Sequence, residues 1–120
     1  MFGFEKLTVW QLAIEYADHV YAVTDSFPDN ERFGLTSQLR RASVSVSSNI
    51  AEGSGRNSNP DFIRFVQIAY GSLMETVSQL TISQRRGLIT TEQQSQLYSQ
   101  AEHLATLLGR LRSSLQRSKP

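Results

Sequence analysis

Apolar side chains recur every three or four residues along most of the chain, which is the spacing of one face of an α-helix. No stretch alternates apolar and polar residues between hairpin turns, as a half-buried strand would. The helical pattern breaks where proline or glycine occurs, within residues 27–34, 53–60 and 86–90. The pattern therefore predicts four helices, over about 5–26, 35–53, 60–86 and 91–116.

The joints between these helices are short, so neighbouring helices are expected to run antiparallel. We predict an all-α, up-down-up-down four-helix bundle that forms one domain over residues 1–120. Capping residues support the boundaries: Asn59 is placed to cap the third helix, with Pro60 at its first position. Gly87 can adopt the left-handed conformation that ends this helix, and Thr90 or Thr91 can open the fourth.

Each predicted helix has an apolar stripe that suits the core, and the first and third helices have apolar residues left over. In the first helix we assign five residues to the core: Leu7, Trp10, Ile14, Ala17 and Tyr21. The remaining apolar residues are predicted to form a surface for self-association: Val9, Leu12, Tyr16, Val20, Val23, Ile63, Tyr70 and Met74. A bundle buries about one face of each helix, so helices that are apolar on two sides indicate a second partner. The alternative is ordinary hydrophobic residues scattered over a surface.

Composition excludes several classes of protein. The chain has 120 residues and no cysteine, so it forms no disulfide, no cysteine zinc site and no cysteine nucleophile. No uninterrupted apolar run approaches the roughly 20 residues that cross a bilayer. Residues 1–6 do not resemble a secretory signal. We therefore expect a cytoplasmic protein that does not associate with membranes.

The net charge of +1 is unevenly distributed along the chain. Residues 1–35 hold six acidic and two basic side chains, whereas residues 36–120 hold five acidic and ten basic ones. After Glu102 no acidic residue remains, while four basic residues follow: Arg110, Arg112, Arg117 and Lys119. Such asymmetry is typical of an anion-binding surface, and also of a fold whose acidic and basic parts face each other.

Two groups of arginines are candidates for binding an anion or RNA. Arg110 and Arg117 are seven residues apart and share one line of the fourth helix with His103, so this edge could contact phosphates. Arg56 and Arg64 flank the start of the third helix, whose free N–H groups can hold an anion. The candidate set is Arg56, Arg64, Arg110, Arg112 and Arg117. The alternatives are a flexible linker, and a solvated helix end whose cations complement the helix dipole.

The second predicted helix is unusually rich in serine for a helix. Arg41, Ser45, Ser48 and Glu52 fall on one line of it, where small polar side chains would let a neighbouring helix approach closely. Arg41 and Glu52 are too far apart to pair, so each would need a partner such as Glu75 or Arg64. This polar seam is either a binding surface or a packing surface with internal ion pairs. Its candidate residues are Arg40, Arg41, Ser45, Ser48, Asn49, Glu52 and Glu75.

Signals for catalysis are weak. The two histidines, His19 and His103, lie in different predicted helices, and the paired Glu-x-x-His motifs of a carboxylate-bridged metal centre are absent. No nucleophile elbow or lysine–serine signature occurs among the many serines. We therefore predict a protein that is not an enzyme, with no catalytic residue, cofactor, metal or small-molecule substrate. A small-molecule or metal site inside the bundle is the least favoured alternative.

Four stretches together resemble a known family, and they span nearly all of the chain up to the last helix. They are FEKLTVWQ at 4–11, FP and ERFGL within 27–35, QLRRA and NIAEG within 38–53, and FIRF and AYGSLME within 62–75. This pattern is similar to the "four helix bundle protein" family, first noticed as open reading frames in intervening sequences of bacterial large-subunit ribosomal RNA genes. The positions that carry the family pattern are Arg40, Arg41, Asn49, Glu52, Gly53, Arg64 and Glu75.

The resemblance implies an antiparallel four-helix bundle assembled as a ring-shaped homopentamer. It also connects the chain to the accessory variability determinant of diversity-generating retroelements, a basic pentamer that works with a reverse transcriptase and nucleic acid. This chain departs from that relative because it is nearly neutral, and non-specific nucleic-acid affinity depends on neutralised phosphates. We expect a non-enzymatic homo-oligomeric scaffold or interaction module with an RNA or protein partner; the alternative is an RNA-binding accessory protein that uses its basic last helix.

Overall fold

The computed structural model describes residues 1–118, and within them the regular structure is helical, without strands. The four α-helices are α1 (Thr8–Thr24), α2 (Leu35–Ser54), α3 (Asn59–Arg85) and α4 (Thr91–Arg117). Short 3-10 turns, Gly3–Lys6 and Asp29–Glu31, precede α1 and α2. The prediction of an all-α protein with four helices is confirmed. Lys119, part of the predicted basic stretch, lies outside the described residues.

The helices form an up-down-up-down bundle with principal extents of 48 × 23 × 22 Å. Helices α1 and α3 each pack against both α2 and α4, so α1 and α3 occupy opposite corners of the bundle. One end of the bundle therefore collects the starts of α1 and α3 with the ends of α2 and α4. Within residues 1–118, no helix is both long and apolar enough to cross a membrane.

The helix ends follow the predicted chemistry, with one correction. Ser58, rather than Asn59, caps α3, because its hydroxyl accepts a hydrogen bond from the backbone N–H of Asp61 at 3.3 Å. Asn59 instead uses its side-chain amide to donate to the carbonyl of Leu115 at the end of α4, at 3.2 Å. Gly87 adopts the left-handed conformation (φ +76°), as predicted.

The side of α1 that we assigned to self-association faces the core. Val9, Tyr16, Val20 and Val23 are buried within this chain, and Leu12 is half-buried against them. Tyr16 is fully buried. These residues are therefore core residues and not an intermolecular surface, and the predicted assignment is wrong for this helix.

Of the five residues of the first predicted helix that we assigned to the core, Ala17 is buried and Leu7 and Trp10 are half-buried against the core, whereas the other two face outward. Ile14 is 36% exposed and Tyr21 is 42% exposed. Asp18 lies on the same side, because it follows Ile14 by four residues and precedes Tyr21 by three. Turning this side inward would bury the Asp18 carboxylate, which costs far more than exposing an isoleucine and a tyrosine.

Helices α2 and α3 approach closely where α2 ends. Gly53 is buried, and a Cβ atom at this position would lie 2.8 Å from Cδ1 of Phe62 and 2.8 Å from Cβ of Phe65. The sequence suggested a chain break beginning at Gly53, but α2 continues to Ser54. The absence of a side chain at Gly53 is what lets the two helices pack together.

Candidate functional site

The predicted polar seam of α2 lies beside α3 and is only partly a contact between helices. Ser45 is half-buried, and its hydroxyl lies 2.9 Å from that of Ser72 on α3. Asn49 donates to both the carbonyl and the hydroxyl of Ser45, at 2.8 and 2.9 Å. Ser48 is exposed. The serines thus join α2 to α3 at one point and leave the rest of the line open to solvent.

The charged residues of the seam do not pair as predicted. Glu52 forms an ion pair with Arg56, one turn further along, at 2.9 Å. Arg41 is exposed, and within residues 1–118 its side chain forms no hydrogen bond or ion pair. Glu75 accepts a hydrogen bond from the amide of Gln79 at 3.1 Å. Neither Glu75 nor Arg64 is therefore the partner of Arg41 or Glu52.

Arg40 lies away from the seam and fastens the end of α1 to α2. Its guanidinium donates to the hydroxyl of Thr24 and to the carboxylate of Asp25, both at 2.9 Å. The same group lies 4.5 Å from the centre of the Tyr21 ring, within cation–π range. Arg40 is a structural residue, and the seam assignment is wrong for it.

The candidate anion site at the start of α3 is already balanced by the protein's own carboxylate. Asp61 lies 3.1 Å from the guanidinium of Arg64 and 3.8 Å from that of Arg56. Both guanidinium groups also lie near the Phe65 ring, at 4.5 and 4.6 Å from its centre. An added anion would compete with Asp61, so the two arginines are better described as holding the start of α3 in place.

The arginines of α4 gather at one cavity near the end of the helix. This shallow cavity of about 580 Å³ is lined by Thr106, Gly109, Arg110, Arg112, Ser113 and Arg117. Within the described residues none of the three arginines forms an ion pair. Arg112 also lines a second cavity, between α3 and α4. The structure thus brings three of the predicted arginines together on α4, with Arg110 and Arg117 on one line of the helix and Arg112 toward α3.

Between α3 and α4 runs a groove, which we call the α3–α4 groove, with a cavity of about 350 Å³. Its lining is Val66, Gln67, Tyr70, Ala105, Leu108, Gly109 and Arg112. Tyr70 was predicted to face outward and is 43% exposed; Met74, one turn further along α3, is exposed as well. Ile63, the third residue of α3 that we predicted for the self-association surface, is half-buried.

Sequence reasoning missed the contribution of α4 to this groove. Ala105 and Arg112 line it and are seven residues apart, so they lie on one side of the helix. Gly109 supplies no side chain, and a Cβ atom there would meet nothing within 4 Å. The seven-residue spacing was the available signal, although it resembles that of any solvated helix face.

Ionisable groups that could perform catalysis are dispersed. His19 places Nδ1 2.5 Å from the side-chain oxygen of Gln100, which links α1 to α4, while His103 is exposed on the outer face of α4. Burial raises the pKa of Tyr16 to about 12, but its phenol is sealed in the core and cannot reach a substrate. Within residues 1–118, no three side chains of the metal-binding types come together.

A protein family and a solved structure are similar to this chain. The family model described as 23S rRNA-intervening sequence protein matches residues 5–110. A similar solved structure is the crystal structure of a protein with unknown function from the S23 ribosomal protein family of Bacteroides thetaiotaomicron VPI-5482. It is 25% identical, with a TM-score of 0.78, and the match covers 88% of this chain and 98% of that chain. No curated protein matches this chain.

Proposed function

The chain belongs to the 23S rRNA-intervening sequence protein family, a family of unknown function, and we propose that it is a non-enzymatic cytoplasmic protein that self-associates as a scaffold or interaction module. The observation that carries this proposal is the α3–α4 groove, an apolar depression lined by the exposed aromatic ring of Tyr70. Aromatic side chains at the rim of an apolar depression are typical of protein interfaces. The ring-shaped homopentamer implied by the family resemblance is the assembly we propose.

The corrected orientation of α1 leaves this proposal with a smaller but more defined apolar surface. Three of the residues first assigned to it, Val9, Tyr16 and Val23, are core residues of a single chain. The exposed apolar side chains that remain on α1 are Ile14 and Tyr21. Self-association therefore depends on these two and on the residues of α3 and α4, and not on a second stripe that covers α1.

Native mass spectrometry of the full chain tests the proposal directly. We expect five copies per particle at micromolar protein concentration, with light scattering giving the same mass in solution. A monomer under both conditions would rule out the scaffold. A closed assembly with a different number of copies would support self-association and exclude the pentamer.

A second candidate function is RNA binding by the outer face of α4. It is favoured by Arg110 and Arg117, which are exposed on one line of the helix and are not neutralised by a carboxylate within residues 1–118. A ring would repeat this pair on every subunit and so bring several weak phosphate contacts to one RNA.

A gel shift with single-stranded RNA at low and high salt tests this candidate. Binding at low salt should weaken steeply as salt is raised, because phosphate contacts release counterions. The double substitution Arg110→Glu with Arg117→Glu should abolish it. Arg85→Glu with Arg86→Glu makes the same charge change at the other end of the bundle and should leave most of the binding intact. Equal loss in both variants would show a general charge effect and exclude this site.

A further inference from the structure

The α3–α4 groove is a depression that the bundle itself leaves empty. Ala105 and Gly109 lie one turn apart on α4, and these two small residues form part of its lining. A Cβ atom at Gly109 would enter open space, since it meets nothing within 4 Å. Glycine inside a helix costs about 0.5–1 kcal/mol relative to alanine. Gly109 therefore lowers helix stability while keeping the groove open.

The groove has a cation at one end and apolar side chains beside it. Arg112 lines it, and the described part of α4 contains no acidic residue after Glu102. Tyr70 lines it with a ring that is nearly half exposed. A complementary surface should therefore carry apolar side chains next to a carboxylate.

The outer face of α1 has this composition. Ile14 and Tyr21 are exposed and seven residues apart, with the exposed Asp18 between them. The helix Thr8–Thr24 contains no lysine or arginine, and the Arg40 guanidinium of α2, which lies over the Tyr21 ring, is paired with Asp25. Seven residues of helix span about 10.5 Å. The groove residues Ala105 and Arg112 are also seven residues apart, so the groove is about as long as this face.

We propose that the α3–α4 groove receives the outer face of α1 from a second copy of this chain. Ile14 and Tyr21 pack over Ala105 and Gly109, and Asp18 pairs with Arg112. The two surfaces lie on different parts of the chain, so each copy can bind one neighbour through its groove and another through its α1 face. Repeated head-to-tail contacts of this kind can close into a ring. This inference rests on the proposed self-association and specifies the surfaces that produce it.

Substitution of Gly109 by leucine tests the apolar part of the contact. The Cβ atom of Gly109→Leu meets nothing within 4 Å and its side chain extends the lining of the groove, so we expect an unchanged or higher melting temperature and a loss of assembly in native mass spectrometry. The control is Gly71→Leu on α3, where a Cβ atom also meets nothing within 4 Å and which does not line the groove. This control should fold and assemble like the unmodified chain.

Exchanging the charges of Asp18 and Arg112 tests the ion pair proposed between them, independently of Gly109. Arg112→Glu and Asp18→Lys should each raise the dissociation constant of the assembly roughly tenfold or more, and the two together should restore most of the affinity. Arg85→Glu makes the same charge change in the last turn of α3, away from the groove, and should leave the assembly intact.

The outcomes separate this inference from the proposed function. A monomeric unmodified chain would overturn both. An oligomeric chain that still assembles with Gly109→Leu, or that the charge exchange fails to restore, would overturn the pairing of α1 with the groove and leave self-association standing. Assembly lost with Gly71→Leu and kept with Gly109→Leu would place the contact elsewhere on α3 and would equally overturn the inference.

Discussion

The phenol of Tyr16 and the hydroxyl of Thr76 meet at 2.7 Å in the centre of the bundle, both of them fully buried. Tyr16 lies on α1 and Thr76 on α3, two helices at opposite corners, so this hydrogen bond crosses the core. Thr76 donates its single hydroxyl proton to the carbonyl of Leu73 at 2.6 Å. Tyr16 is therefore the donor in the bond to Thr76.

This donor assignment predicts unequal costs for removing either partner. Tyr16→Phe should destabilise the fold by about 0.5–1.5 kcal/mol, because Thr76 keeps its bond to Leu73. Thr76→Val should cost about 1–3 kcal/mol, because the Tyr16 hydroxyl then stays buried without an acceptor. Urea denaturation of both variants and of the double variant would measure this. If Tyr16→Phe proves as costly as Thr76→Val, the assigned direction of the bond is wrong.

The stability of the fold should fall in alkaline solution because of Tyr16. Burial raises the pKa of this phenol from 10.0 to about 12. Between these two values the unfolded chain loses the proton and the folded chain keeps it, so the free energy of unfolding decreases as the pH rises. The slope from one such group is at most about 1.4 kcal/mol per pH unit. Urea titrations across this range should show a shallower decline for Tyr16→Phe, and parallel curves would exclude the effect.

The three helical glycines should respond to alanine in opposite directions. Gly53→Ala places a methyl group 2.8 Å from two phenylalanine carbons and should destabilise the fold by about 1–3 kcal/mol. Gly71→Ala and Gly109→Ala meet no neighbour and should stabilise it by about 0.5–1 kcal/mol each, through helix propensity. Thermal melts of the three variants would check this. A stabilising Gly53→Ala would mean that α2 and α3 are not in close contact there.

Arg40 and Arg41 are neighbours in sequence but should differ in their effect on stability. Arg40→Ala removes three hydrogen bonds and the contact with the Tyr21 ring, and it should cost about 1 kcal/mol. Arg41→Ala removes an exposed side chain and should change the free energy of unfolding by less than about 0.5 kcal/mol. Chemical denaturation of each variant provides the comparison. A larger loss for Arg41→Ala would show that this residue has a partner in the assembled protein.

Much of the fold could be predicted because it depends on local properties of the chain. The spacing of apolar residues and the positions of proline and glycine gave four helices close to their observed bounds. Gly87 ended α3 as predicted because few residues other than glycine adopt its φ of +76° readily. The core residues of α2 and α4, such as Val46 and Leu104, were also predicted, since each of these helices has one dominant apolar stripe.

The candidate site was harder to predict because it depends on contacts between helices. Arg41 and Glu52 suggested partners on α3, yet Glu52 pairs within its own segment and Arg41 faces solvent. The α3–α4 groove requires Tyr70 on one helix and Gly109 on another to lie side by side. Residues so distant in sequence give no joint signal in a single chain without its tertiary structure.

The sequence by itself determined that the chain forms four antiparallel amphipathic helices, since helix formation and capping depend on neighbours within a few residues. Only the tertiary structure decided which side of α1 is buried, because both of its sides carry apolar residues at helical spacing. Tyr16 turns inward, where Thr76 accepts the hydrogen bond of its phenol, while Asp18 stays hydrated on the other side. Burial is settled by the partners that other helices provide for polar groups, and those partners exist only once the helices have packed.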